Sequence, residues 1–292
     1  MISALLSAHL NVRAAFRLAR TGLHLFWGCV TVALVFPFVG LPRRRALKQR
    51  WSQQLMDVLG IRVVIESNGQ LTGLLVANHI SFLDIYVINA LEPAAFVSKD
   101  EVADWPLIGW LCRHTETIFL ARGNRRAAQR TSATMTAQLR SGACIAVFPE
   151  GTSSRGDAVL PFHSALFQPA VDAGTTVTPV ALRYEDRTGR LHAAPAYVDD
   201  ITLLECLWSI ACATGLVVRV AILPALDPAA AERRHLSAAA HQAISERLNP
   251  SRPAPPDVRR GVEIPRDLPT ARPSTLRPRD NLSPTPSDSF PA

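Results

Sequence analysis

A histidine and an aspartate five residues apart are the strongest candidates for acid-base chemistry in this sequence of 292 residues. The segment 78–84 reads NHISFLD and follows an apolar run, Leu74 to Ala77, that is typical of a strand. If the strand delivers His79 into a turn and a helix opens near Asp84, the carboxylate accepts a hydrogen bond from one imidazole nitrogen. The other nitrogen is then a base that can deprotonate an alcohol near neutral pH. A purely structural histidine stays open as the alternative.

Two further polar segments follow apolar runs. Residues 149–156 read PEGTSSRG, in which Gly151 permits close backbone approach, Thr152 supplies a hydroxyl and Arg155 can pair with an anion. Arg122 ends the run IFLAR at residues 118–122 and carries the planar guanidinium that suits a phosphate. Polar residues after strands are common, so each of these segments is a weak indication by itself.

Taken together, these segments resemble the glycerolipid acyltransferase family, the PlsC-type lysophospholipid acyltransferases similar to 1-acyl-sn-glycerol-3-phosphate acyltransferase. The matching residues are Asn78, His79, Ser81 and Asp84 for its Asn-His-x-x-x-x-Asp signature, Phe119 and Arg122 for Phe-x-x-Arg, Phe148 to Thr152 for Phe-Pro-Glu-Gly-Thr, and Val177 to Val180 for an apolar-Pro-apolar strand. The four blocks occur in family order, and the resemblance spans about Leu55 to Val220.

The resemblance implies transfer of a fatty acyl group from acyl-CoA or acyl carrier protein to the free hydroxyl of lysophosphatidate, which gives phosphatidate. It implies no cofactor, because the thioester is a co-substrate. A metal site is disfavoured separately, because the eight histidines show no paired spacing that suits zinc. In this assignment His79 is the general base and Asp84 orients it. The implied substrate-binding residues are Asn78, Ser81, Arg122, Glu150, Gly151, Thr152 and Arg155.

Two departures from the family pattern concern the acceptor. Where many lysophosphatidate enzymes have Phe-Lys-x-Gly-Ala-Phe, this chain has FHSALF at residues 162–167, so His163 replaces a permanent cation. Ala121 also replaces the acid that often precedes the arginine of the second block. Both changes resemble the branch that acylates lyso-ornithine lipid or other lysolipids, which is the alternative acceptor. Lysophosphatidate ranks first because Arg122 and Arg155 remain as anion partners.

The elements that must position these residues alternate between strands and helices. The predicted strands are Ile61 to Glu66, Leu74 to Ala77, Cys144 to Phe148 and Val177 to Leu182, and the predicted helices are Arg125 to Leu139 and Ala229 to Leu248. Residues 199–223 read as a core helix plus a strand. This succession predicts an α/β fold, a three-layer αβα sandwich with a mixed, largely parallel sheet. Its ligand site is expected at strand ends.

The N-terminus differs from the rest of the chain in charge and hydropathy. Residues 1–50 contain eight Arg or Lys and no acid, whereas the whole chain has a net charge of +7. Residues 23–41 are uncharged and about as long as a bilayer-crossing helix. Basic flanks on both sides favour a helix or a helical hairpin, broken near Pro37 and Gly40, that enters one leaflet beside anionic headgroups. A true span is equally compatible.

These patterns predict three regions: a membrane-associating segment at 1–50, a catalytic domain at 51–249, and a disordered Pro/Ser/Arg-rich tail at 250–292. The expected location is the cytoplasmic (inner) membrane with the catalytic domain facing the cytosol, since the five cysteines form no disulfide or metal pattern. A nucleic-acid partner is disfavoured, because the folded body has no basic stripe.

Two other function classes compete with the acyltransferase reading. A serine hydrolase lacks a GxSxG motif here, and Ser81 is too close in sequence to His79 for in-line attack. A non-catalytic membrane adaptor needs neither His79 nor Asp84 and remains a distant alternative.

Overall fold

A computed structural model of the chain describes residues 2–66, 69–121, 125–230, 232–249 and 262–263. The N-terminal part forms two helices, α1 (Ile2–Leu34) and α2 (Leu41–Leu59), joined by a short 3-10 turn at Phe36–Phe38. The break lies at Pro37 and Gly40, as the sequence predicts, because proline lacks the N–H that would continue α1. Residues 11–38 are apolar enough to cross a membrane by length and composition, with a mean hydropathy of 1.6.

In the described residues, eight strands form one sheet in the order β4-β3-β5-β2-β6-β7-β1-β8. The strands are β1 (Arg62–Ile65), β2 (Leu74–Ala77), β3 (Ala95–Lys99), β4 (Ile118–Leu120), β5 (Ile145–Val147), β6 (Val177–Glu185), β7 (Val217–Ile222) and β8 (Val262–Glu263). The first five strands in this order, from β4 through β3, β5 and β2 to β6, are parallel to one another. Strand β7 is antiparallel to β6 and parallel to β1, and β8 is antiparallel to β1. The mixed, largely parallel sheet is confirmed.

Helices cover both faces of the sheet and confirm the three layers. The remaining helices are α3 (Leu83–Leu91), α4 (Ile108–His114), α5 (Arg125–Arg140), α6 (Gln168–Ala173), α7 (Leu203–Cys212) and α8 (Arg233–Leu248). Apolar residues of α2, α3 and α7 form the core on one face, and those of α5, α6 and α8 form the core on the other.

The central strand β2 shows why the sequence folds in this way. Leu75 and Ala77 belong to the core beneath α3, whereas Leu74 and Val76 belong to the opposite core. All four are fully buried, which is typical of a central strand in a parallel sheet and explains a continuous apolar run without alternation. Residues 78–84 therefore follow the C-terminal end of a strand in the middle of the sheet.

Helix α2 crosses one predicted region boundary, and strand β8 lies beyond the other. The boundary expected between residues 50 and 51 falls inside α2, whose residues Leu55, Met56 and Leu59 are buried in the core. Within the predicted tail, Val262–Glu263 pair with β1 as strand β8, and the rest of that tail lies outside the described residues.

Two arginine side chains attach helix α1 to helix α7. The guanidinium of Arg13 donates to the carbonyl oxygen of Cys212, and that of Arg17 donates to those of Ala211 and Ala213, at 2.7 to 3.1 Å. These carbonyls close the C-terminal end of α7, where a helix leaves acceptors without intrahelical partners. The two arginines therefore cap α7 from another helix.

A second contact joins α1 to α2. The rings of His24 and Trp51 stack with centroids 4.6 Å apart, and each ring also hydrogen-bonds to the other residue's carbonyl oxygen. The N-terminal hairpin is therefore fixed both internally and to the sheet domain.

Candidate active site

His79 and Asp84 are brought together by the turn between β2 and α3. The strand ends at Ala77, α3 begins at Leu83, and Asp84 lies in the first turn of that helix. The His79 Nδ1 atom is 2.9 Å from the Asp84 Oδ2 atom. The contact predicted from their spacing is therefore present.

The Asp84 carboxylate is fully buried and surrounded by donors. Its Oδ2 atom accepts from the backbone N–H groups of Ile80 and Ser81 at 2.7 and 2.9 Å, in addition to His79. Its Oδ1 atom accepts from the hydroxyl of Tyr184 at 2.8 Å. Both oxygens of the buried carboxylate therefore have hydrogen-bond donors.

The hydrogen bond to Asp84 fixes the tautomer of His79. Since Asp84 can only accept, Nδ1 carries the proton and the lone pair of the neutral ring is on Nε2. The His79 side chain is 22% exposed, so the ring reaches the surface while its partner does not. The ring of Phe148 stacks on it at 4.1 Å between centroids and limits its rotation. This geometry suits a general base.

The backbone of His79 is held by the segment that follows β5. Its N–H donates to Glu150 Oε1 at 2.7 Å, and its carbonyl oxygen accepts from the N–H of Ser154 at 2.8 Å. The other oxygen of Glu150 accepts from the N–H of Leu160 at 2.9 Å. Burial raises the pKa of Glu150, although these two N–H donors oppose the shift. Glu150 thus joins the His79 turn to the loop 149–160.

Asn78 and Ser81, predicted to bind substrate, face inward. The side-chain amide of Asn78 exchanges two hydrogen bonds with the backbone of Leu182 and is 1% exposed. Ser81 is fully buried, and its hydroxyl accepts from the N–H of Leu83. These side chains bind the protein itself, so they shape the site from behind.

The loop after β5 places the remaining candidates differently. Gly151 adopts a φ of 70° in a tight turn, a conformation that favours glycine, and Thr152 is exposed. Arg155 is exposed and forms an ion pair with Asp199 at 2.5 Å. Arg122 lies outside the described residues.

Tyr184 and Ser154 contact the His79–Asp84 pair, and the sequence motifs identify neither of them. Tyr184 follows Val180 and Leu182 at alternate positions of β6, so its ring lies on the sheet face that also carries Ala77. That periodicity was available as a signal, but nothing in the motif indicated that the strand extends to Glu185. In the described part of the chain, no group of three His, Cys, Asp or Glu side chains is arranged to hold a metal.

The hydroxyl groups near His79 do not form a nucleophile for a hydrolase. The Ser153 hydroxyl donates to the carbonyl oxygen of Tyr197, the Ser154 hydroxyl bonds the backbone of His79, and Ser81 is buried. Because these three hydroxyls are bonded or buried while the His79 ring is partly exposed, the arrangement suits activation of a hydroxyl that the substrate supplies.

Comparison with known proteins identifies related sequences. The sequence profile of the Acyltransferase family matches residues 60–183. A 1-acyl-sn-glycerol-3-phosphate acyltransferase of Neisseria meningitidis serogroup B is 40% identical over 162 residues, which are 56% of this chain and 63% of that relative. A lyso-ornithine lipid O-acyltransferase of Pseudomonas aeruginosa is 34% identical over 207 residues, which are 70% of this chain and 78% of that relative.

A solved structure shows the same fold. The crystal structure of the 1-acyl-sn-glycerophosphate acyltransferase from Thermotoga maritima superposes with a TM-score of 0.61 at 20% identity, covering 85% of this chain and 99% of that one. The chain spans somewhat less than two thirds of the Neisseria relative's length, at 63%.

Proposed function

The chain belongs to the acyltransferase family, and from that membership we propose that it transfers a fatty acyl group to the free hydroxyl of lysophosphatidate, giving phosphatidate. The observation that carries this proposal is the His79–Asp84 pair, with Nδ1 bound to the carboxylate and the ring partly exposed. The co-substrate is acyl-CoA or acyl carrier protein, and the chemistry needs no further cofactor.

The proposed reaction is a direct transfer. Nε2 of His79 accepts the proton of the acceptor hydroxyl while the hydroxyl oxygen attacks the carbonyl carbon of the thioester. The new C–O bond forms, the C–S bond breaks, and the thiolate receives the proton from the imidazolium. Asp84 stabilises the imidazolium between these steps. A positioned general base contributes about 10²- to 10⁴-fold, and alignment of the two substrates supplies much of the remainder.

Two lysolipids are candidates for the acceptor. Lysophosphatidate is favoured by the 40% identity to the Neisseria relative and by the cations Arg122 and Arg155 proposed to bind its phosphate. Lyso-ornithine lipid is the second candidate, because the Pseudomonas relative matches over more of both chains and because His163 replaces a lysine. Arg155 is paired with Asp199 in the structure, so a phosphate would have to compete with that carboxylate.

The location that fits this chemistry is the inner face of the cytoplasmic membrane. The acceptor resides in a bilayer, the soluble thioester donors are cytosolic, and α1 exposes large apolar side chains such as Phe26 and Trp27. All five cysteines are free thiols, which suits a reducing compartment.

Purified full-length protein in detergent micelles tests the proposal. It is offered radiolabelled acyl-CoA or acyl carrier protein together with lysophosphatidate or lyso-ornithine lipid. We expect labelled phosphatidate, and a turnover that falls on the order of 10²- to 10⁴-fold in His79→Ala. The matched control is His235→Ala, an exposed histidine on α8, which should leave turnover unchanged.

The outcomes separate the alternatives. If the enzyme prefers lyso-ornithine lipid, the proposed acceptor is wrong and the proposed acyl transfer still holds. No labelled product with either acceptor, or full turnover in His79→Ala, contradicts the proposed function.

A further inference from the structure

We propose that Tyr184 is a positioning residue of the active site, whose hydroxyl orients the Asp84 carboxylate toward His79 so that the imidazole acts as the base. The inference rests on the proposed function for its kinetic consequence, but its effect on the His79–Asp84 pair does not depend on which lipid is acylated.

The hydrogen-bond geometry gives Tyr184 a specific task. Its hydroxyl lies 2.8 Å from Asp84 Oδ1, and both residues are fully buried. The other carboxylate oxygen, Oδ2, accepts from His79 and from two backbone N–H groups. Among the described residues, Tyr184 is the one donor to Oδ1. Loss of the hydroxyl would leave that oxygen as a buried acceptor with no donor.

The direction of the hydrogen bond fixes its chemical effect. An ionised carboxylate can only accept, so the phenol donates to it and stabilises the negative charge. Burial, together with the charge of Asp84, raises the pKa of Tyr184 well above its ordinary value, so the phenol stays a donor at every working pH. With one oxygen held by the phenol, the carboxylate plane is fixed and Oδ2 points at Nδ1.

Loss of this donor would act on catalysis through the carboxylate. A buried carboxylate that lacks a donor binds a proton more readily. A protonated Asp84 stabilises the imidazolium poorly, and that cation must form each time the acceptor hydroxyl is deprotonated. Tyr184 therefore acts through the carboxylate, and a change in the pH profile of turnover is the expected consequence of its loss.

Other titratable groups face the pair and must be accounted for. They are His79 itself, Glu150 after β5, and Cys206 on α7, whose thiol has its pKa raised to about 11 by burial. The thiol is neutral throughout the working range. The Tyr184→Phe change leaves all three side chains in place and removes the hydrogen bond to Asp84, so a shifted profile would report on that contact.

The test is Tyr184→Phe, which keeps the ring and its packing. We expect kcat to fall about 10-fold, KM for the acceptor to stay within about twofold, and the acidic limb of the kcat–pH profile to move up by about one pH unit. The matched control is Tyr86→Phe, which removes a phenol from α3, the helix that carries Asp84, where the ring lies against Trp51 and not against the pair. Its profile should equal that of the wild type. An unshifted acidic limb in Tyr184→Phe, whatever the fall in kcat, overturns the proposal.

A second variant protects the test against misfolding. Incorporation of 3,5-difluorotyrosine at position 184 retains the hydroxyl and makes it a stronger donor, so the acidic limb should move down. No shift, or a shift upward, overturns the proposal even if Tyr184→Phe does not fold.

A third measurement separates this inference from the proposed function. The pH titration of the His79 ring, followed by NMR of labelled protein without substrate, should differ between wild type and Tyr184→Phe. A difference in a protein that acylates no lysolipid would contradict the proposed function and keep the positioning role. Identical titrations would overturn the positioning role in an active enzyme.

Discussion

The carboxylate of Glu150 accepts hydrogen bonds from two backbone N–H groups that lie in different segments of the chain, those of His79 and Leu160. The family resemblance implies that Glu150 shapes the glycerol site, and the structure shows a way in which it can do so from behind. A buried acceptor with both oxygens occupied has little capacity left for a ligand. We therefore expect substitutions of Glu150 to lower kcat more than they raise KM.

Glu150→Gln should also change the pH dependence of stability. Burial raises the pKa of Glu150 above its ordinary value of 4.5, so the folded protein binds this proton more tightly than the unfolded chain. Wild-type stability should therefore fall as pH rises from about 4.5 through the folded pKa. The variant cannot ionise, and its stability should fall less over that window, although its amide N–H opposes one backbone donor and lowers stability throughout. Urea unfolding at several pH values measures both effects. If the unfolding free energy of the wild type and that of the variant changed equally with pH, the interpretation would be contradicted.

Asn78→Asp tests whether this side chain belongs to the sheet or to the substrate site. The amide of Asn78 bonds both the N–H and the carbonyl oxygen of Leu182, and a carboxylate cannot donate to the latter. A buried charge facing a carbonyl should cost at least about 1–3 kcal/mol of unfolding free energy. Thermal or chemical unfolding measures it. Unchanged stability with a raised KM would instead support the role in substrate binding.

The sequence predicts the chemistry of single residues better than their exposure. The spacing of His79 and Asp84 correctly predicts their contact, because a strand end followed by a helix leaves few other arrangements. It does not reveal that Asn78 and Ser81 face inward, since a polar residue beside a catalytic one looks the same whether it binds substrate or backbone. The contact of Tyr184 with Asp84 is not predictable from a local motif, because the two residues are 100 positions apart in sequence.

Helix α1 and helix α7 are joined by charge-assisted hydrogen bonds from Arg13 and Arg17 to the last carbonyls of α7. These arginines read, in the sequence, as part of a headgroup-binding flank. Their contacts make them part of the fold, because a cation at a helix C-terminus also interacts favourably with the helix dipole. Attachment of α1 and stability of α7 should therefore be coupled.

Arg17→Met removes two of these hydrogen bonds while it keeps most of the aliphatic stem. We expect a loss of about 1–3 kcal/mol in unfolding free energy in detergent. Arg20→Met is the control, since Arg20 is an exposed arginine one turn further along the same helix. An equal loss in both variants would mean that the charge of α1, and not the cap on α7, determines stability.

Prediction of elements from periodicity succeeds where the environment is uniform. Strand β2 is predicted with its observed bounds, because all its residues are buried and apolar. Strand β3 is missed, because Ala95–Lys99 changes from buried to exposed within five residues and so resembles a loop. Helix α3 is expected only as an opening helix at Asp84, since its nine residues are too apolar to show a helical period.

The positive charge of the N-terminus is largely engaged inside the molecule. Besides Arg13 and Arg17, Arg45 and Lys48 on α2 pair with Glu116, and Arg44 donates to the carbonyl oxygen of Val39. The exposed cations of the first fifty residues are Arg20, Arg43 and Arg50. The proposed attraction to an anionic membrane surface therefore rests on fewer charges than the sequence suggests.

Vesicle co-sedimentation distinguishes apolar from electrostatic attachment of the whole protein. Phe26, Trp27 and Phe38 are 64%, 63% and 86% exposed, and burying such side chains in lipid is worth more than three surface charges. The triple change of these aromatics to Ser should weaken binding on the order of 100-fold or more. Changing Arg20, Arg43 and Arg50 to Gln should weaken it less, and chiefly at low salt. The reverse ranking would contradict a mainly apolar attachment.

Helix α2 is uninterrupted from the hairpin turn near the exposed Phe38 to the core residues beneath the active site. A helix of this length is a rod of about 28 Å. If the turn enters a lipid leaflet, the continuous helix sets the distance between His79 and the lipid surface, because it has no break at which the two could move closer. The acceptor hydroxyl must then extend from the lipid surface to His79, because the enzyme does not move toward the bilayer. The length of the acceptor's headgroup therefore becomes a criterion by which acceptors are selected.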